Sequence, residues 1–195
     1  MGRPVPHAPV SLVVGMLSAY AELFGRAEAA MSERFGNVAR ASEVMPFHFT
    51  GYYEPEMGAD LLRKFLAFER PVDPAELAGI KLWTNALEDR FAAASSTPAV
   101  AAELRRAGPG FAVPRPINLD PGYVAPSKLV LATTKDHAHR ICLGQGIHAE
   151  VTLTFLKGAF EPMPWTYPDY RTEAYRRFFE QVRADLVARQ RTTRP

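Results

Sequence analysis

From Ile147 to Leu156 the chain alternates apolar and polar side chains without a break. Ile147, Ala149, Val151, Leu153 and Phe155 fall on one side, and His148, Glu150, Thr152 and Thr154 on the other. Successive side chains of a strand point to opposite faces, so this pattern demands a strand with one apolar and one polar face. Just before it, Leu143-Gly144-Gln145-Gly146 carries the glycines of a hairpin loop. Lys128 to Lys135 and His139 to Leu143 supply two more strands, and together these segments predict an antiparallel meander. The loop admits two or three residues. A three-residue loop is preferred, because it pairs Arg140 with Glu150 and Cys142 with His148 and keeps both alternations in phase. A two-residue loop would put an arginine on the apolar face. The expected outcome is a polar sheet face bearing Arg140, His148 and Glu150, crossed by the segment Trp165 to Arg171.

Upstream, Pro9 to Ser18 is a continuous apolar run of strand length, as in a strand covered on both faces. Tyr20, Leu23, Phe24, Ala27, Ala30, Met31 and Phe35 recur at helical spacing, and Gly36-Asn37 closes that helix. Val44 to Thr50 reads as a strand, so strand, helix and strand suggest a right-handed parallel crossover. Gly58 to Glu69 is expected to be a short amphipathic helix presenting Leu61, Leu62, Phe65 and Phe68. In Asp73-Pro74-Ala75-Glu76 an aspartate cap, a proline at the first helical position and a glutamate that completes the capping box announce a helix. Leu77, Ile80, Trp83 (or Thr84), Leu87 and Phe91 continue it. Residues 92–114, rich in Ala, Ser, Pro and Gly, are expected to be a flexible surface insertion. A last helix starts near Thr172 and buries Tyr175, Phe178, Phe179, Val182 and Leu186, with a disordered tail over 190–195.

These elements fit one α/β (α+β) domain over residues 1–195. Its expected core is a mixed, mainly antiparallel sheet of about five strands, with helices mainly on one face and a C-terminal helix. A lone cysteine, Cys142, rules out an intrachain disulfide. No apolar run approaches the roughly 20 residues of a membrane span. Val10 to Leu17 followed by Ala19-Tyr20-Ala21 mimics a signal peptide, but the prolines before it favour a buried first strand and a cytoplasmic protein. A net charge of +2 does not by itself call for nucleic acid. The basic excess is local, with seven arginines from Arg171 to Arg194.

The long motifs carry a resemblance. Asn-Leu-Asp-Pro-Gly-Tyr at 118–123, Lys-Leu-Val-Leu-Ala-Thr-Thr-Lys-Asp-His-Ala-His-Arg-Ile at 128–141, Gly146 to Leu153 and Trp-Thr-Tyr-Pro-Asp-Tyr-Arg at 165–171 resemble the prokaryotic domain-of-unknown-function family 4416. Phe49-Thr50-Gly51-Tyr52-Tyr53 with Glu56-Met57-Gly58 is similar to the family's upstream motif. Gly51 departs from an acidic or polar family position, and 92–114 resembles an expanded loop. The resemblance brings no activity with it. There is no G-x-x-x-x-G-K-[ST] loop, and Gly108-Pro109-Gly110 is no substitute, so phosphate binding by a P-loop is unsupported.

The chemistry-bearing residues lie within 114–171. Glu150 with His148 or His139 suits general acid–base work, and Asp120 suits acid–base or metal work. Asn118 and Asp120 are two apart and face the same way in an extended chain, as a metal or substrate ligand pair at a strand end would, although aspartate before Pro121-Gly122 commonly caps a turn. Lys128, Lys135, Arg140 and Arg171 are the expected anion ligands, arginine as a fork and lysine as a point charge. His139 and Asp169 complete the expected ligand set. A divalent metal enters either through His137, His139 and His148 with Asp136, Cys142, Glu150 or Asp169, or as an oxygen-ligated ion on Asp120, Glu150 and Asp169. Tyr52, Tyr53, Trp165, Tyr167 and Tyr170 suit ring stacking or core packing. The leading expectation is an enzyme or ligand-binding domain for an anionic small molecule such as a nucleotide. The alternative is an RNA- or protein-binding module using the C-terminal arginines and exposed aromatics.

Overall fold

The computed structural model describes residues 2–3, 5–95 and 113–192. Most of residues 92–114, expected as an insertion, and the tail residues 193–195 lie outside the described residues. A nine-stranded sheet organises the rest, in the order β2-β4-β1-β5-β6-β8-β7, with β3 also paired to β4 and β9 to β8. The strands are β1 (Ser11–Ser18), β2 (Val38–Ala41), β3 (Met45–Pro46), β4 (Leu62–Phe68), β5 (Asn118–Ala125), β6 (Lys128–Thr133), β7 (Ile141–Gly144), β8 (Ile147–Leu156) and β9 (Ala159–Pro162). The helices are α1 (Ala21–Phe35), α2 (Glu54–Met57), α3 (Leu77–Ser95) and α4 (Glu173–Thr192). The architecture is α+β. The sheet is mainly antiparallel, and the strand count exceeds the five or so expected because β2 and β9 are too short to leave a periodic signal, while β4 and β5 fall in segments whose patterns suggest a helix and a turn.

Every residue of β1 is buried, as its unbroken apolar run requires. Its even-numbered side chains Leu12, Val14 and Met16 pack with Leu23, Phe24, Ala27 and Met31 of α1 and with Ile80, Leu87 and Phe91 of α3. On the opposite face, Val13, Phe65, Ala67, Val124, Leu129, Leu131 and Leu153 pack against Tyr175, Phe178, Phe179 and Val182 of α4. Two long helices therefore share one face, and α4 covers part of the other. The Asp73 capping box forms as its sequence demands, with Asp73 Oδ1 accepting from Ala75 N at 2.9 Å and Glu76 Oε1 accepting from Asp73 N at 3.4 Å.

Four local expectations change. The segment read as helix 58–69 is strand β4, because a central strand buries apolar groups on both faces and Leu61, Leu62, Phe65 and Phe68 then imitate helical spacing. Only Met45–Pro46 of the predicted strand 44–50 pairs. The parallel crossover is split: β3, in the segment expected to return beside β1, runs in the direction of β1, but β4 lies between them, antiparallel to both. Asn118 to Gly122 is not a turn but the start of β5, paired along β1 from Leu17–Asn118 to Ser11–Val124.

The β7–β8 hairpin pairs Cys142 with His148, as expected, yet it does so through a two-residue turn. Gln145 and Gly146 both have positive φ (55° and 73°), the requirement of a type I′ turn, and a register shift between Cys142 and Gly144 restores the phase. A second irregularity changes the faces of β8. Leu129 pairs with Leu153 but Val130 with Val151, so Thr152 is bulged. Ile147, Ala149 and Val151 therefore pack toward α3, whereas Leu153 joins the α4 face. The expected single apolar face is divided, and Glu150 ends up on the α4 side opposite Leu131.

Candidate functional site

The sheet forks between β5 and β6. Their pairing runs from Ala125–Lys128 to Gly122–Leu131 and stops there. Beyond that point β5 stays with β1 and β6 stays with β8, out to Thr133–His148. Pro121, with no N–H to donate, stands where the ladder ends. At Gly122 the strands approach so closely that a Cβ would lie 2.3 Å from the Val130 carbonyl oxygen.

A cavity of about 540 Å³ fills the fork. Its floor is Asn118, Asp120, Leu131, Ala132 and Glu150 of the sheet, with Lys81 reaching it from α3. Its walls are Phe47, Phe49, Tyr52 and Tyr53 on one side and Tyr167, Asp169 and Tyr170 on the other. The strap 133–140 adds Lys135, His137 and Arg140. Five cations line it (Arg63, Lys81, Arg115, Lys135, Arg140) against three carboxylates (Asp120, Glu150, Asp169). The volume suits a small molecule.

A polar network sets the inner end. Arg63, only 3% exposed, lies between Asp120 Oδ2 (3.3 Å) and Asp169 Oδ2 (3.4 Å), its guanidinium over the Phe47 and Phe65 rings. Gly15 of β1 leaves the room: a Cβ there would sit 3.2 Å from Arg63 NH1 and 3.0 Å from the Phe65 ring. Lys81 donates to the Leu119 carbonyl at 2.7 Å. Glu88 accepts from Leu119 N at 2.8 Å and from Arg115 at 3.0 and 3.1 Å, and Arg115 also donates to Asn118 Oδ1. Asn118 Nδ2 in turn donates to Asp120 at 2.6 Å.

This arrangement separates the carboxyls. Burial pushes the Asp120 carboxyl up, but Lys81, Arg63 and Arg115 outweigh it and hold it below the ordinary aspartate value. Asp169 and Glu88 go the other way, because burial exceeds what Arg63, or Lys81 and Arg115, return. Burial and the charge of Asp120 push the Tyr53 hydroxyl up to about 12. Asp120 is thus an anion, and Tyr53 a neutral hydroxyl, at neutral pH.

At the outer end, Glu150 Oε2 accepts from Arg140 Nε at 2.8 Å and lies 3.1 Å from His139 Nε2. His139 stacks between His137 and Trp165, with centroids 5.7 and 5.1 Å away. Arg140 also donates to the Lys135 carbonyl and to the Tyr167 hydroxyl, both at 2.9 Å. Lys135 Nζ donates to Tyr52 Oη at 3.0 Å and sits 4.4 Å over that ring.

Asn118, Asp120, Lys135, Arg140, Glu150 and Asp169 of the expected set therefore line one cavity, with His139 behind Glu150. Three others do not line it. Lys128 is at the far end of β6, paired with Ala125 and Thr154. His148 stands 3.6 Å from Asp136, beyond the rim. Arg171 spends its guanidinium on the carbonyls of Met163, Pro164 and Thr166 and holds the 163–171 loop across the sheet. Among the described residues no three His, Cys, Asp or Glu side chains gather as metal ligands. Between Asp120 and Asp169, where an oxygen-ligated ion was expected, stands the Arg63 guanidinium.

Sequence reading missed Arg63, Lys81, Glu88 and Arg115. Lys81, Thr84 and Glu88 recur at i, i+3 and i+7 on the buried stripe of α3, and opposite charges on an apolar stripe are a signal. Arg63 alternates with Phe65 and Ala67, a signal only once 62–68 is read as a strand.

A family model described as a domain of unknown function, DUF4416, matches residues 8–186. The chain belongs to this family. The match spans both ends of the sheet and every cavity-lining residue named above. No curated protein and no solved structure matches the chain. Among the described residues, no helix is long and apolar enough to cross a membrane.

Proposed function

We propose that the chain binds an anionic small molecule of nucleotide size in the fork cavity, as an enzyme or a ligand-binding domain. One observation supports the reading: five cations and a wall of aromatic rings converge on one concavity of about 540 Å³, within the range of small-molecule sites. Lys135 is the natural outer anion contact, because an exposed ammonium reorients at little cost. Arg115 and Lys81 set the positive potential of the inner end. Phe49, Tyr52 and Tyr167, all exposed at the rim, offer ring faces to a planar group. Glu150 and His139 form the pair best placed for proton transfer, since the carboxylate both orients the imidazole and faces the cavity.

The alternative, an RNA- or protein-binding module on the C-terminal arginines, has less behind it. Arg171, Arg176 and Arg183 already donate to backbone carbonyls at 163–166, Phe160 and Pro126. Thermal unfolding of the chain with a panel of nucleotides, sugar phosphates and inorganic phosphate tests the first reading. At least one member is expected to raise the melting temperature, and Lys135→Ala to diminish that rise, each variant being compared with its own unliganded value. A panel without effect would sink the reading. RNA binding that weakens steeply with salt would favour the module.

A further inference from the structure

Among the described residues, Asp120 carries a carboxylate oxygen at the cavity floor that none of the internal hydrogen bonds reaches. Asp120 Oδ2 takes the Asn118 amide at 2.6 Å and Arg63 at 3.3 Å. Near Oδ1 stands the Lys81 ammonium, but at 3.8 Å, outside hydrogen-bond reach, because Lys81 directs its short bond to the Leu119 carbonyl. The Asp120 side chain is 27% exposed, and it faces the cavity. A carboxylate oxygen at the floor of a cavity, flanked by cations but accepting from none of them, is placed to accept from a ligand's donor. Asp120 sits there because β5 leaves β6 at Pro121, so the position is built by the fork.

The cavity thus makes two demands of one molecule. Its cations call for an anionic group, and Asp120 Oδ1, itself an acceptor, calls for a donor such as a neutral hydroxyl, which a deprotonated oxygen cannot supply. An anion with no hydroxyl to donate, sulfate for instance, meets the first demand alone. We infer, building on the anion-binding reading above, that the ligand is a phosphate ester carrying free sugar hydroxyls. A hydroxyl donates to Asp120 Oδ1, and the phosphate lies toward Lys135. A ribonucleotide and a simpler sugar phosphate share this chemistry, and the aromatic rim would add stacking for the former.

Calorimetric titration of the full chain decides the matter, using ribonucleoside monophosphates of the four bases, their 2′,3′-dideoxy counterparts, ribose 5-phosphate and inorganic phosphate. A hydroxylated ligand is expected to bind at least about tenfold more tightly than its dideoxy counterpart, since a site built around a hydroxyl discriminates against its loss. A ribonucleotide bound well above ribose 5-phosphate assigns the nucleotide, and equal affinities assign the sugar phosphate. Asp120→Asn should reduce the hydroxyl preference to under about twofold while phosphate affinity persists. Circular dichroism checks that this variant folds; if it does not, the wild-type comparison decides alone. Equal affinity for ribo and dideoxy compounds would overturn the inference, as would a preference that survives Asp120→Asn. Phosphate binding without any sugar preference would overturn it too, yet leave the anion reading standing. Silence from every probe removes both.

Discussion

Arg140 and Glu150 form an ion pair across the mouth of the β7–β8 hairpin, Nε to Oε2 at 2.8 Å, with both side chains only 3% exposed. The pair joins the strap 133–140 to the floor of the cavity, and through Tyr167 it reaches the opposite loop. Removing one member leaves the other with lesser partners, Glu150 with His139 and Arg140 with the Lys135 carbonyl and Tyr167. Glu150→Ala or Arg140→Ala should each cost about 1.5–3 kcal/mol, and the double variant should cost clearly less than their sum. Urea unfolding of the four proteins measures this coupling. Additive effects would mean that the two residues act independently.

Gly122 is needed for a reason unrelated to turns. Its φ is not in the left-handed region; the constraint is the Val130 carbonyl, 2.3 Å from where a Cβ would stand, and the Leu131 side chain at 2.7 Å. The nearer obstacle is backbone in a paired strand, so it cannot swing aside. Gly122→Ala is expected to lose more than the about 1–3 kcal/mol of ordinary overpacking. Gly25→Ala, where nothing lies within 4 Å of the new methyl, is the control and should be neutral or stabilising. Comparable melting temperatures for the two variants would refute the close approach.

The acid limb of stability depends on Asp120. Its folded pKa lies below the unfolded value of about 3.9. Its stabilising contribution is therefore complete above that value and is lost as the pH falls through the folded one. Asp169 and Glu88, raised by burial, act in the opposite sense: protonation below their raised values relieves a cost. Asp120→Asn should lower stability at pH 7 and flatten the further loss on acidification below about pH 4. Denaturant midpoints across a pH series check it; parallel curves for wild type and variant would show that Asp120 is not the responsible group.

Much of the scaffold was legible because its causes are local. The alternation of Ile147 to Leu156 demanded a strand, and a strand of those bounds forms. The Asp73 capping box and the helical spacing of Tyr175, Phe178, Phe179, Val182 and Leu186 are satisfied within a few turns of chain. The Arg140–Glu150 contact followed from keeping two alternations in phase. The bulge at Thr152 did not, since it depends on how β6 meets β8.

The sequence by itself thus determined the hairpin, three of the helices and the region where charge gathers, because periodicity and capping act over short stretches. Only the tertiary structure decided that Leu62–Phe68 is a strand, since its apolar residues serve two faces of a central position. It also decided that Asp120-Pro121-Gly122 lies inside a strand, where a missing N–H and a missing Cβ open a fork rather than close a turn. Arg63, Lys81 and Arg115 meet Asp120 there from β4, α3 and the segment before β5, 57, 39 and 5 residues away along the chain. The contacts of Arg63 and Lys81, made between distant parts of the chain, leave no periodic trace around Asp120, and they are what turns a charged stretch into a cavity.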